Sequence, residues 1–206
     1  MSESYGSKEN AENLEWGGVG MTPEAEALYK EYVRRLQRRN EEVNRTPLVV
    51  LVWGPGSSGG DLFEKRQQIR TRLRQRGDAA LFSEELDKEC HSFAASARAR
   101  ELMQAEEADF IVVIYSSHGS IAETHDFGSF MSDLGSKMLI FIDSQHVGGY
   151  GYTGLLSELK GRFNNVETFE YPKDILECHL LSLVEDKLRD LRFAKWLENR
   201  PRRSTR

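Results

Sequence analysis

Cysteine is scarce in this chain. There are two, Cys90 and Cys178, far apart and without CxxC spacing. That excludes a disulfide framework and a cysteine-rich zinc site, and it suits a reducing compartment. Long apolar runs are missing too. The longest, Leu48–Trp53 and Phe110–Tyr115, are far too short to span a bilayer. Nor is there an excess of positive charge: the formal net charge is -5. General nucleic-acid binding, which rests on neutralising phosphates with Lys and Arg, is therefore not expected. The polar, acidic start, Met1 to Asn13, is unlike a secretory signal. Together these absences lead us to expect a cytoplasmic protein with no membrane association.

What is present is ordinary soluble-protein composition, 39% hydrophobic and 30% charged over 206 residues, enough for one domain with a substantial core. Residues 1–21 are polar and glycine-rich and are expected to be a disordered leader. Over 22–45 the sequence predicts an amphipathic helix, with Thr22 as N-cap and Pro23 at the first helical position. Ala25, Leu28, Tyr29, Tyr32, Val33 and Leu36 recur at helical spacing, and Arg34, Arg35, Arg38 and Arg39 make the outer face basic. This helix is expected to lie on the domain with its basic face solvated, or to serve a protein partner or a second copy.

The main domain is expected over 46–199, followed by a basic tail at 200–206. Five short apolar segments, Leu48–Trp53, Ala79–Phe82, Phe110–Tyr115, Met138–Ile142 and Val166–Tyr171, read as strands. Helical patterns lie between them at Asp61–Arg76, Asp87–Ala105 and Ile121–Leu134, with a short helix reaching about Lys160. A long last helix, opened by Pro172, turns Ile175, Leu176, Leu180, Leu183, Val184, Leu188, Leu191 and Trp196 inward. Regular alternation of this kind predicts an α/β fold: a flavodoxin-like parallel sheet in the order 2-1-3-4-5 with helices on both faces. Ligands bind such sheets beyond the carboxyl ends of the strands, where the order switches between strands one and three.

Two loops fall there. Gly54-Pro55-Gly56-Ser57-Ser58-Gly59-Gly60 joins the first strand to a helix. Its glycines permit tight turns and close backbone approach, and the helix start offers amides and a favourable dipole to a phosphate or ribose. Gly54, Gly56 and Gly59 satisfy GxGxxG, with Glu84 and Glu85 somewhat late for the acid of a dinucleotide fingerprint. Gly60-Asp61 stands where a phosphate-binding Walker loop has Lys-Ser, which argues against ATPase chemistry. After the third strand comes the densest polar cluster, Ser116-Ser117-His118-Gly119-Ser120-Ile121-Ala122-Glu123-Thr124-His125-Asp126. Ser120 and Glu123 have capping-box spacing. A carboxylate in that first helical turn is also placed to attack or support the anomeric carbon of a ribose. His118, Glu123, His125 and Asp126 have no metal-site spacing, so no metal is expected. GxSxG is absent, and Trp53-Gly54 and Ser116-Ser117 stand where a phosphoacceptor receiver has its acids. Trp53 is read as either pocket floor or core. Asp143 and the Gly148–Tyr152 segment are read as a surface loop, with closure over a ligand as the alternative.

The strand Phe110–Tyr115 followed by Gly119-Ser120-Ile121-Ala122-Glu123 resembles the strand and Gly-Thr-x-x-Glu helix start of nucleoside 2-deoxyribosyltransferases. The Gly54-Pro55 loop is similar to that family's early Gly-Pro loop. Toll/interleukin-receptor-like NAD hydrolases share the plan. The resemblance spans roughly Pro47 to Tyr171. It implies Glu123 as the catalytic carboxylate, with Gly54, Gly56, Ser57, Ser58, Gly59, Gly60, Ser117, His118 and Ser120 contacting substrate. The transferase pattern has an Asp before its Gly-Thr pair, where Ser117 and His118 stand here. Hydrolysis of the N-glycosidic bond of a nucleoside, nucleotide or NAD is therefore expected rather than base exchange. NAD or another nucleotide enters as substrate, not cofactor. The resemblance also implies a role in bacterial defence or toxin systems, with a non-catalytic nucleotide-sensing or scaffolding module as the alternative.

Overall fold

The computed structural model describes residues 20–89, 96–116, 121, 124–126, 134–149 and 152–200. The chain divides into two compact units, Met1–Glu42 and Val43–Arg206. In the first lies most of helix α1 (Pro23–Asn44). Its start is as the sequence predicts: the Thr22 hydroxyl accepts from the Ala25 amide at 3.3 Å. Leu28, Tyr29, Tyr32 and Leu36 are exposed. The expected leader falls almost wholly outside the described residues, as do positions 201–206 of the tail.

The second unit is built on β1 (Val49–Trp53), β2 (Ala79–Leu81), β3 (Phe110–Tyr115), β4 (Met138–Asp143) and β5 (Val166–Phe169). They form one five-stranded sheet in the order β2-β1-β3-β4-β5. Every pairing is parallel. This is the flavodoxin-like α/β fold expected from the alternation of elements. The strands are almost continuously apolar because both faces are covered. Successive residues go to opposite cores. Val50 and Val52 join Ile69, Leu73, Val112, Phe141, Val184 and Leu188 on one face. Leu51 and Trp53 join Ala105, Ile111, Val113, Ile140 and Leu159 on the other. Helices α2 (Asp61–Gln75), α6 (Lys173–Leu176) and α7 (His179–Glu198) supply the first core; α4 (Ala97–Glu107) and α5 (Ser157–Phe163) supply the second.

Two helices differ from expectation. The stretch predicted as one helix over Asp87–Ala105 falls on the end of α3 (Ser83–Glu89) and on most of the separate α4. The Phe82 carbonyl accepts from the Glu85 amide while the Glu85 carboxylate reaches back to the Phe82 amide at 3.3 Å, which starts α3 early. Ser96 is extended, and its hydroxyl accepts from the Ala99 amide at 3.2 Å, which starts α4 anew. The long last helix is broken as well. Glu177 turns extended after α6, so Leu176 falls out of phase with α7 and is 76% exposed rather than buried. Of the helix expected over Ile121–Leu134, Ile121 and residues 124–126 are helical; the remainder lies mostly outside the described residues.

Candidate functional site at the carboxyl end of the sheet

The register sets β1 beside β3, with Trp53 opposite Val113. The chain therefore leaves β1 and β3 as neighbours at the carboxyl end of the sheet. The loop after Trp53 is compact. Pro55 is buried, while Gly56, Ser57 and Ser58 are exposed. Ser57–Gly59 form a single 3-10 turn, with the Gly59 amide donating to the Gly56 carbonyl at 2.8 Å. Glycine is required at two of these positions. Gly54 has φ +155°, and a Cβ there would lie 3.2 Å from Ile114 Cβ. A Cβ on Gly59 would come within 2.5 Å of Pro55 Cβ.

Arg66 holds this loop from beneath. Its side chain is 2% exposed. Nε donates to the Val52 carbonyl at 2.9 Å, and one terminal nitrogen donates to the Pro55 carbonyl at 3.3 Å. Both terminal nitrogens donate to the Glu84 carboxylate at 2.8 Å, and the guanidinium lies 4.1 Å from the centre of the Phe82 ring. Burial pushes the Glu84 carboxyl up, but the Arg66 hydrogen bonds, its own backbone amide and the Arg66 charge outweigh this and leave it below the ordinary value. Glu84, which the sequence places somewhat late for the acid of a dinucleotide fingerprint, is thus committed to Arg66. The signal for Arg66 was in the sequence: Leu62, Arg66, Ile69 and Leu73 share one helix stripe, and a charge on an inward stripe needs a partner.

The helix after this loop carries acid at its start, Asp61 and Glu64. Asp61 also accepts from the Tyr171 hydroxyl at 3.2 Å. Negative side chains thus already occupy the end of the helix dipole that would attract an anion.

On the β3 side, Tyr115 is 7% exposed, and its hydroxyl lies 3.1 Å from His125 Nε2. Burial pushes the phenol above its ordinary value, so it stays neutral at physiological pH. Thr124 is fully buried, and Asp126 pairs with Arg98 of α4 at 3.3 Å. Neither the tyrosine–histidine contact nor the Arg98 pair was legible in the sequence, because each depends on where a helix side meets its neighbour. Ser117, His118, Ser120 and Glu123 lie outside the described residues. Trp53 is core: it is 1% exposed, and its indole donates to the Ser83 hydroxyl at 2.6 Å. Asp143 is engaged locally, accepting from the Gln145 amide at 3.1 Å and side chain at 2.6 Å. Tyr152 packs against the second core.

Among the described residues no group of three or more His, Cys, Asp or Glu side chains is placed to hold a metal ion, and no helix is long and apolar enough to cross a membrane. No known family model matches the chain, and no curated protein matches it significantly.

Proposed function

We propose that this protein is an N-glycosidase that hydrolyses the bond between base and ribose in a nucleoside, nucleotide or NAD, with Glu123 as its catalytic carboxylate. The observation that carries the proposal is the pairing of β1 with β3 at the point where the strand order switches. It brings the start of the glycine loop beside the carboxyl end of β3, at the end of the sheet where such folds bind ligands. A carboxylate there meets the need of an oxocarbenium-like transition state for negative charge beside the anomeric carbon. Ser117, His118 and Ser120 orient the substrate, and the Gly54–Gly60 loop lies along it. The acids Asp61 and Glu64 at the start of α2 favour a neutral ribose at that loop over a phosphate. A place in defence or toxin systems, and a protein partner or second copy bound through α1, belong to the same proposal.

Incubation of the purified protein with NAD and a nucleoside panel, followed by chromatography for free base, tests it. Base release is expected, and Glu123→Gln is expected to lower its rate by at least about 100-fold. Release that survives this substitution removes Glu123 from the mechanism. Tight nucleotide binding without release makes the module a sensor instead.

A further inference from the structure

The first compact unit holds most of a helix whose apolar face stays exposed. Of the 22 residues of α1, Val43 alone is buried. Leu28 and Tyr32 are 69% and 59% exposed, and Tyr29 and Leu36 are exposed with them. Helices in folded proteins owe most of their stability to an apolar face packed against something. The face here is regular. Ala25, Tyr29, Tyr32 and Leu36 are spaced four, three and four apart, the repeat that fits one helix to another along a seam. Leu28 widens the stripe at its edge. A covering surface that is itself a helix with this repeat is what the pattern calls for.

Charge decides which helix, and in which direction. Residues 23–32 carry three glutamates and one lysine; residues 33–39 carry four arginines and no acid. Over this stretch the helix is negative at its start and positive further on. Within the helix Glu26 pairs with Lys30 at 2.5 Å and Glu31 with Arg35 at 3.1 Å. Glu24 and Arg39 lie about 22 Å apart along the axis, too far to meet in one helix. A second copy laid antiparallel, with Ala25 opposite Leu36 and Tyr29 opposite Tyr32, brings Glu24 of each copy beside the arginine-rich part of the other. Arg39 then lies across from Thr22, within one turn of Glu24. Laid parallel, the same helices set Arg39 against Arg39 in the seam, because positions 25, 32 and 39 share one place in the repeat. Like charges so placed are destabilising. The stripe thus complements itself, in shape and in charge, when the two copies run antiparallel.

We infer that α1 is a self-association face, through which two copies of this chain pair as antiparallel helices. This chooses between the two partners proposed above for α1 and rests on that part of the proposal; it does not depend on Glu123 or on base release. Covering the stripe on both copies removes on the order of 1,000 Å² from water, near the floor for a specific interface, so the dimer is a micromolar one. The facing tyrosines form its centre, where aromatic pairs contribute beyond the area they bury.

Sedimentation equilibrium of the full chain across the micromolar range measures the association. The mass is expected to rise with concentration from 23.6 kDa toward twice that. Tyr32→Glu sets a charge in the seam of each copy and is expected to weaken the dimer by at least about 30-fold. Glu24→Arg and Arg39→Glu are each expected to weaken it by about 10-fold, small losses at two symmetric sites added together. The double variant Glu24→Arg/Arg39→Glu is expected to recover most of that loss, because the exchanged charges meet again when the helices run antiparallel and lie far apart when they run parallel. All four variants change exposed positions, so their thermal midpoints are expected to match the parent's under conditions where each is monomeric. A parent chain that stays monomeric up to millimolar concentration overturns self-association. A dimer that survives Tyr32→Glu overturns α1 as its seam. Single charge variants that leave the dimer unchanged, or a double variant without recovery, overturn the antiparallel arrangement. Base release is assayed on the same samples, and its presence or absence leaves each of these outcomes as it stands.

Discussion

The two ends of the sheet use polar residues in opposite ways. At the amino end, Asp78 and Asp109 precede β2 and β3 and accept from the Leu48 and Val49 amides at 3.1 and 2.7 Å. The same carboxylates pair with Arg192 and Lys195 of α7. Chain entry and last helix are tied to one another there, with the charges turned inward. At the carboxyl end the tie runs from below. Arg66 holds the carbonyls of Val52 and Pro55 from within, and the tip of the loop, Gly56 to Ser58, stays open to solvent. An end closed by mutual ion pairs is an anchor. An end whose backbone is fixed from inside while its outer surface stays open is suited to contact a ligand.

The largest expected effect lies at the amino end. Asp78 and Arg192 are 1% and 5% exposed at the side chain. Asp78→Ala leaves a buried guanidinium unpaired and the Leu48 amide without its acceptor. The expected cost is about 3–5 kcal/mol, the range for breaking a buried ion pair from one side. Urea unfolding measures it. Arg189→Ala removes an exposed pair on the same helix, Arg189 with Asp186, and provides the control, with an expected cost under about 1 kcal/mol. Similar costs for the two would dissolve the contrast between anchor and binding end.

At the carboxyl end the most sensitive backbone position is Gly54. Its positive φ and the 3.2 Å approach of a would-be Cβ to Ile114 make Gly54→Ala strained, because the near atom belongs to a central strand. The expected cost is about 1–3 kcal/mol, smaller than at Asp78, with base release falling more steeply than stability because the loop is displaced. The comparison is sharpened by measuring both in one variant. A loss of stability with unchanged turnover would make the loop scaffold alone.

How far these features could be read in the sequence depended on their range. The sheet order was legible because five apolar runs alternate with helical patterns, and few topologies satisfy that alternation. Gly54 and Gly59 were legible as turn residues. The breaks at Ser96 and Glu177 were not, because a single capping hydroxyl or one extended residue interrupts an otherwise helical pattern. Arg66–Glu84, Asp78–Arg192 and Tyr115–His125 pair residues 18, 114 and 10 apart in sequence. Such partners become identifiable only when the sheet brings their elements together.

The smallest effect concerns Glu84, and it separates the ends by pH. The Arg66 contacts hold the folded carboxyl below its ordinary value despite partial burial. A carboxyl with a lowered folded value adds stability above its unfolded pKa of about 4.3. That stability is lost as pH falls through the folded value. Glu84 is 60% exposed at the side chain, so solvent screening keeps the contribution below about 1 kcal/mol. Glu84→Gln keeps hydrogen bonding to Arg66 within reach and removes only the charge. The difference in unfolding free energy between pH 7 and pH 3 is therefore expected to shrink by less than about 1 kcal/mol. It should shrink by the same amount in the Asp78→Ala background, since independent sites add. A change that vanishes in that background would mean that the two ends are coupled through β1 and β2, and that the anchor also governs the loop.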